Sequence, residues 1–324
     1  MNQGQLHVHE AAFRGAEFLA SSQLRIGAIN DQLKQPARFL AARRPGRSSV
    51  FKAMGGADVW HTVSSMAALA RASARGHRVD PSVTRRAAEF VKGQVHPEGG
   101  LSYWSITRGL CCETTSFAAS ILRGMRRSLC SVLRRVALPH GRWPQLLLER
   151  DTGYSDYSAA PSVTAWVLSA LGDRDRCFAA GLRYLRESLG AREVWDGHVA
   201  YYATPLYPAH VASLAWRRTS VLRYVLAAQR PDGGWGFGGR GDGASSVLPT
   251  SYALMTLECF EPTPRGRSAV RRARGWLLRQ QRADGCFPLG RVPRALWYSG
   301  DVYATSMALL ALLGRKDDSA LCVQ

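Results

Sequence analysis

One unit constrains this chain more than any other. It is Gln229-Arg-Pro-Asp-Gly-Gly-Trp-Gly-Phe237, followed after a Gly-rich loop by Pro249-Thr-Ser-Tyr-Ala-Leu-Met-Thr-Leu257. It reads as the end of one helix, a tight turn, an aromatic clamp and the start of a second helix with a polar first turn. Glycine supplies the positive φ that a helix C-terminus needs, and Gln229 and Asp232 can bond the backbone groups the turn leaves unpaired. Trp235 then buries a large ring against the departing helix.

Roughly six copies of the unit follow one another at a spacing of about 40 to 55 residues, the range of helical-pair repeats. The turn half recurs at Gln23-Leu-Arg-Ile-Gly-Ala, at Gln94-Val-His-Pro-Glu-Gly-Gly with Trp104, and at Gln281-Arg-Ala-Asp-Gly-Cys-Phe287. It is worn down to His140-Gly-Arg-Trp143 and Glu193-Val-Trp-Asp-Gly197. The helix half is more regular. Thr62, Thr115, Thr164, Thr250 and Thr305 each stand seven residues before a leucine, at 69, 122, 171, 257 and 312. Threonine is a good N-cap, and each Ala/Leu-rich segment behind it has helical period. His210 takes the Thr position in the fourth copy.

Repeats running from end to end argue for one body over residues 1–314, with a loose polar tail at 315–324. An apolar fraction of 46% and nine Trp are ample for its core. The net charge of +19 comes almost wholly from Arg. Such an excess points to an acidic protein, a membrane surface or an anionic small molecule, or else to solvated outer helices. No stacked-aromatic or finger-type pattern marks a specific nucleic-acid reader. Seven Cys without a Cys-x-x-Cys pair, behind an N-terminus lacking an apolar core, imply a cytoplasmic chain with free thiols. The longest apolar run, Met307 to Leu313, is far short of the roughly 20 residues of a spanning helix. Attachment at a membrane surface stays open, and so does the oligomeric state.

Taken in order, the chain predicts an outer helix over Ala11 to Gln23 and a first inner helix at Gly56-Ala-Asp-Val-Trp-His-Thr62. Outer helices are expected over Pro81–Gln94, Ser128–Ala137 and Arg174–Ser188, with a long loop from Pro139 to Pro161. Later inner helices start at Cys111, Ser162, near His210, at Thr250 and at Asp301. Six inner and about six outer helices in alternation predict an all-α fold, an (α/α)6 toroid whose inner helices line a central cavity. All inner N-termini then open at one end, where helix termini concentrate positive potential. The residues just before each anchoring position form a ring there: Asp58, Trp60 and His61; Cys112, Glu113 and Thr114; Ser162; Tyr207; Leu248; Asp301 and Tyr303.

The turn Gln-x-x-Asp-Gly-x-Trp resembles the QW repeat of squalene-hopene and oxidosqualene cyclases, and Val59-Trp-His-Thr62 is similar to an inner-helix start of those enzymes. Class II diterpene cyclases and protein prenyltransferase β subunits share the repeat. The resemblance covers most of the chain and implies a toroid that binds an apolar prenyl or lipidic substrate. In class II cyclases an Asp-x-Asp-Asp-Thr motif at an inner-helix start launches a carbocation cascade, its middle Asp protonating an alkene or epoxide. Cys111-Cys112-Glu113-Thr114-Thr115 resembles that motif, with Glu113 in the protonating position and Cys111 and Thr114 where the flanking Asp would stand.

The resemblance thus implies acid-initiated cyclisation or rearrangement without a redox cofactor. Glu113 would be the proton donor and Asp58, His61 and Asp301 further participants. Trp60, Cys112, Thr114, Tyr157, Ser162, Trp166, Tyr207, His210 and Tyr303 are expected to contact substrate. An alternative is a transferase or tailoring enzyme with zinc. Asp58-Val-Trp-His-Thr62 is also similar to the stretch that supplies the zinc-binding His of prenyltransferase β subunits, and Asp284-Gly-Cys286-Phe287 resembles their Asp-x-Cys pair. His61, Asp284 and Cys286 would then converge on the metal. A non-catalytic lipid- or partner-binding module is the third reading.

Overall fold

In a computed structural model, residues 3–23, 29, 58–103, 109–148, 160–189, 204–238, 243–290 and 300–314 are described. Tyr157, Trp104 and the expected tail at 315–324 lie outside them. The odd-numbered helices are α1 (Gln3–Ser21), α3 (Pro81–Gly93), α5 (Arg126–Arg135), α7 (Phe178–Glu187), α9 (Thr219–Ala228) and α11 (Pro264–Gln280). The even-numbered ones are α2 (Asp58–Ala74), α4 (Cys112–Ile121), α6 (Pro161–Leu171), α8 (Leu206–Ala215), α10 (Val247–Leu257) and α12 (Asp301–Leu313). Most boundaries fall within a few residues of the sequence reading; α1 begins at Gln3, earlier than the expected Ala11.

The two sets differ in what they bury. Every residue of α10 is buried, and in α12 only Asp301 is not. Helices apolar on all sides belong inside a body. The odd helices carry one apolar stripe each, such as Ala269, Ala273, Trp276 and Leu277 on α11, at the 4, 7 and 8 spacing of a single helix face. Arg265, Arg267, Arg271, Arg272 and Arg279 of the same helix face solvent, as do Arg85 and Arg86 on α3. Much of the basic excess therefore sits on outward faces. Each even helix packs on the next, α2 on α4 and so on to α12, and α12 packs back on α2. The odd helices lie against these: α1 on α12 and α2, α5 on α4 and α6, α9 on α8 and α10.

The turn chemistry explains how the layers are tied. At the end of α9 the Gln229 amide donates to Gly233 O within its own turn and to Ala269 O on α11, both at 2.9 Å. Gln281 repeats this at the end of α11, donating to Gly285 O at 3.0 Å and to Ala11 O on α1 at 2.8 Å. Gln23 closes α1 onto α3 through Val83 O at 2.8 Å. One side chain thus fixes its own turn and the next outer helix. The clamp rings satisfy their indole donors inside, Trp235 on Val225 O at 2.9 Å and Trp143 on Leu133 O at 2.7 Å.

The repeated threonines are not N-caps. Cys111, Ser246 and Gly300 hold the cap positions of α4, α10 and α12. Thr62, Thr115, Thr250 and Thr305 sit inside the first turns and face a loop. Thr250 Oγ1 accepts from Trp235 N at 3.0 Å, Thr305 Oγ1 from Phe287 N at 2.9 Å, Thr115 Oγ1 from Leu101 N at 2.9 Å and Thr62 Oγ1 from Ile29 N at 3.0 Å. A buried amide N–H must find an acceptor, and these hydroxyls provide it where the clamp passes under the inner helix.

One element departs from the all-α expectation. Gly109–Cys111 and Leu146–Leu148 form a two-stranded antiparallel ribbon, β1 and β2, with Cys111 opposite Leu146. It falls partly within the segment read as loop, and it carries Gln145 to the first turn of α4, where Cys112 N donates to Gln145 O at 3.2 Å.

Candidate active site

Glu113 is the second residue of α4 and is fully buried. A carboxyl there lies in the positive potential of the helix start. Two donors address it from other elements: Tyr207 of α8 donates its O–H to Oε1 at 3.0 Å, and Gln145 donates its amide to Oε2 at 3.4 Å. Tyr207 Oη in turn accepts from Trp166 Nε1 of α6 at 2.8 Å. The chain Trp166, Tyr207, Glu113, Gln145 is buried throughout. Cys111 caps α4 in place of an oxygen, its sulfur accepting from Thr114 N at 3.5 Å. Burial, and then the charge of Glu113, push its thiol up to about 12, and Cys112 is driven well above the usual thiol range by burial. Both therefore stay protonated near neutrality and leave Glu113 as the acidic group of this turn.

Beside this group lies a cavity of about 250 Å³, walled by the rings of Trp60, Phe117, Trp166, Tyr207, Tyr252 and Tyr303. The rings brace one another: Phe117 stacks on Trp166 with centroids 4.7 Å apart, Trp60 meets Phe117 edge-on at 5.5 Å, and Tyr207 meets Tyr252 edge-on at 5.1 Å. The Tyr252 and Tyr303 hydroxyls share a hydrogen bond of 2.9 Å. Burial raises the Tyr303 phenol above its ordinary range, so it remains a neutral hydrogen-bonding group. Such a wall offers π faces, which can hold a cation through their ring quadrupoles.

Of the residues singled out in the sequence, Trp60, Trp166, Tyr207, His210 and Tyr303 border this cavity. Cys112, Glu113, Thr114 and Ser162 are buried in the first turns of α4 and α6, outside its lining; Glu113 reaches the wall through its bond to Tyr207. His61 is buried and stacks on Tyr303 at 5.6 Å, behind the wall. Asp58 opens α2, buried, with Oδ1 accepting from Val59 N at 3.0 Å. Asp301 is directed to its own loop: Oδ1 accepts from Leu289 N at 2.8 Å, and Oδ2 pairs with Arg282 at 3.5 Å on the partly exposed rim. Tyr157 lies outside the described residues.

The zinc alternative needs His61, Asp284 and Cys286 in one place. Among the described residues no group of three or more His, Cys, Asp or Glu could hold a metal ion. Asp284 instead closes its turn, accepting from Cys286 N at 3.0 Å, and burial pushes the Cys286 thiol up to about 12. Three participants carried no sequence signal. Gln145 reaches Glu113 only through the ribbon pairing, and Phe117 and Tyr252 lie in apolar helical runs where only the packing tells a wall residue from a core residue. Among the described residues no helix is long and apolar enough to cross a membrane.

A variant of the type II terpene cyclase MstE from Scytonema, solved in complex with geranylgeranyl dihydroxybenzoate as substrate, superposes with a TM-score of 0.74 over 99% of either chain, at 16% identity. The fold is that of the type II terpene cyclases. A protein from Actinoplanes matches with a TM-score of 0.70 at 18% identity, over 94% of this chain and 98% of its own. The ent-copalyl diphosphate synthase from Streptomyces platensis matches with 0.56 at 16% identity, over 79% of this chain and 50% of its own. In sequence, the uncharacterized proteins y4kT of Sinorhizobium fredii and blr2149 of Bradyrhizobium diazoefficiens are each 35% identical over 159 residues. That stretch is 45% of this chain and 29% of either relative, so the chain spans under a third of the length of the curated proteins it matches. No protein-family profile matches the chain.

Proposed function

We propose that this chain is a class II terpene cyclase-like enzyme that binds an acyclic prenyl substrate in its aromatic cavity and starts cyclisation by protonating it from Glu113. The observation that carries the reading is the pair of donors on Glu113. An acid able to protonate an alkene needs a stabilised conjugate base. In the cyclase motif that the first turn of α4 resembles, acidic neighbours flank the proton donor; here Tyr207, Gln145 and the helix start take up that task.

In this mechanism the Glu113 proton goes to a terminal alkene carbon and leaves a tertiary cation. The π electrons of an internal alkene then close a ring, a C–H proton passes to solvent at the cavity mouth to restore neutrality, and the Glu113 carboxylate regains its proton from solvent. The product is an isomer of the substrate. The aromatic faces stabilise the moving charge. The even helices, each packed on the next, support the six-pair toroid in which such a cavity lies at the centre. The likeness to MstE, whose substrate complex holds geranylgeranyl dihydroxybenzoate, supports a prenyl group as the apolar part of the ligand.

The test is incubation of the purified protein with geranylgeranyl diphosphate, farnesyl diphosphate and geranylgeranyl dihydroxybenzoate, followed by mass spectrometry for cyclised isomers. A product made by the wild type and lost in Glu113→Gln supports the proposal. Equal turnover by the variant removes Glu113 as the acid.

A further inference from the structure

We infer that Tyr207 hands the proton to the alkene, and that Glu113 acts from behind the cavity wall through the Tyr207 phenol. This rests on the reading of Glu113 as the acid and goes further by naming the group that meets the substrate. Glu113 is fully buried and does not border the cavity. Tyr207 does border it, and its hydroxyl is bonded to Glu113 Oε1 at 3.0 Å. Trp166, on the same wall, donates its indole N–H to the Tyr207 oxygen at 2.8 Å.

A general acid must stand within about 2.6–3.2 Å of the atom it protonates, or reach it through one intermediary. A substrate lodged among the rings meets Tyr207 before it meets Glu113. A donor for Glu113 need not stand on the wall if its task is only to hold the carboxylate, since Gln145 supplies one from outside the lining.

The hydrogen bonds describe how a relay would run. In the arrangement seen, the phenol oxygen accepts from Trp166 and donates to Glu113. When Glu113 carries its proton, the second bond reverses: the carboxyl O–H donates to the phenol oxygen, and the phenol hydrogen turns toward the cavity side. The step is then a concerted double transfer. The Tyr207 O–H bond breaks as its hydrogen forms a C–H bond with the terminal alkene carbon, using the alkene π pair and leaving the neighbouring carbon cationic. The Glu113 O–H bond breaks as its hydrogen forms the new O–H of Tyr207, so the charge left behind is the Glu113 carboxylate. A phenol donating to a carboxylate, the bond present here, is the arrangement this step leaves. Concert matters because a phenol alone is a weaker acid than a carboxyl group by about six orders of magnitude. With both protons moving together, the acid consumed is Glu113.

The test counts the protons in flight. Single-turnover rates of cyclisation are measured across mixtures of H₂O and D₂O, with whichever of farnesyl diphosphate, geranylgeranyl diphosphate and geranylgeranyl dihydroxybenzoate is turned over. The wild type is expected to give the bowed dependence of two moving protons. Tyr207→Phe and Gln145→Ala are each expected to be about 10- to 100-fold slower. The dependence should become linear, one proton moving, in Tyr207→Phe and stay bowed in Gln145→Ala, which separates passing the proton from steadying the carboxylate. A linear wild-type dependence, which decides the matter even if a variant fails to fold, or a bow that persists in Tyr207→Phe would overturn the relay. If Glu113→Gln is inactive at the same time, the acid stands and only the relay falls. Full turnover by Glu113→Gln, or no cyclised product from the wild type, would remove both.

Discussion

The Tyr207 phenol donates to Oε1 of Glu113 at 3.0 Å and so joins the first turns of α8 and α4, two inner helices with α6 between them. The bond spans 94 residues of sequence. It holds Oε1 while Gln145 holds Oε2, and it connects a residue behind the cavity wall to one in it.

If these donors tune Glu113, removing them should slow chemistry without loosening binding. Tyr207→Phe and Gln145→Ala are each expected to lower kcat about 10- to 100-fold with KM nearly unchanged, a loss of about 1.5–3 kcal/mol for a hydrogen bond to a charged group. Glu113→Gln should cost at least about 10²- to 10⁴-fold, the range of a general acid. Steady-state kinetics on whichever prenyl substrate is turned over provide the comparison.

The turn glycines give a second contrast. Gly285 has φ +87°, and a Cβ there would lie 2.1 Å from Arg14 O, a backbone atom that cannot yield. Gly290 has φ +71° with nothing within 4 Å. Gly290→Ala should cost about 1–2 kcal/mol for the left-handed backbone alone. Gly285→Ala should cost more, because α1 must also shift from α11, and thermal melts of the two variants will show the gap.

The threonine clamps give a third. Thr305 Oγ1 accepts from Phe287 N at 2.9 Å where both residues are buried. Thr305→Val keeps the volume and leaves that amide unsatisfied, so denaturant unfolding should show a loss of about 1–3 kcal/mol.

Much of the fold was legible because its turn chemistry is local. Gln229, Asp232, Gly233 and Trp235 act within a few residues of one another, and their repetition marks each pair. The clamps were half legible: the Thr spacing located every inner helix it marks, but the partner of the Thr62, Thr115, Thr250 and Thr305 hydroxyls is a loop backbone that no side-chain pattern reveals. The first-turn position of Glu113 was legible, because its motif is contiguous, and so were Trp60, Trp166, Tyr207 and Tyr303 of the cavity border. Gln145 and Tyr252 were not, since one arrives through strand pairing and the other depends on which side of an all-apolar helix meets the cavity. Asp301 shows the reverse case. Its position in the repeat put it in the ring, yet its carboxylate is held by Leu289 N and Arg282.

The buried His77 sets a pH dependence. Burial, then the neighbouring His9 and Arg75, lower its pKa from 6.5 to about 4, and its ring stacks on His9 at 4.1 Å. The folded pKa lies below the unfolded one, so the unfolded chain binds the proton more readily between these values. The contribution is full above pH 6.5 and is lost as the pH falls toward 4. Discounted for the solvent that reaches the exposed His9 beside it, it amounts to about 1–2 kcal/mol. Melting temperatures measured from pH 7 to 4.5 should fall less steeply in His77→Gln than in the wild type.

Protonation by the enzyme can be read in the product. In D₂O, the cyclised isomer formed from geranylgeranyl diphosphate, farnesyl diphosphate or geranylgeranyl dihydroxybenzoate should carry one deuterium at the carbon that began as the terminal alkene, and Glu113→Gln should form none of it. A product free of deuterium, or labelled product formed as fast by Glu113→Gln, would contradict the assignment of Glu113 as the acid that starts the reaction.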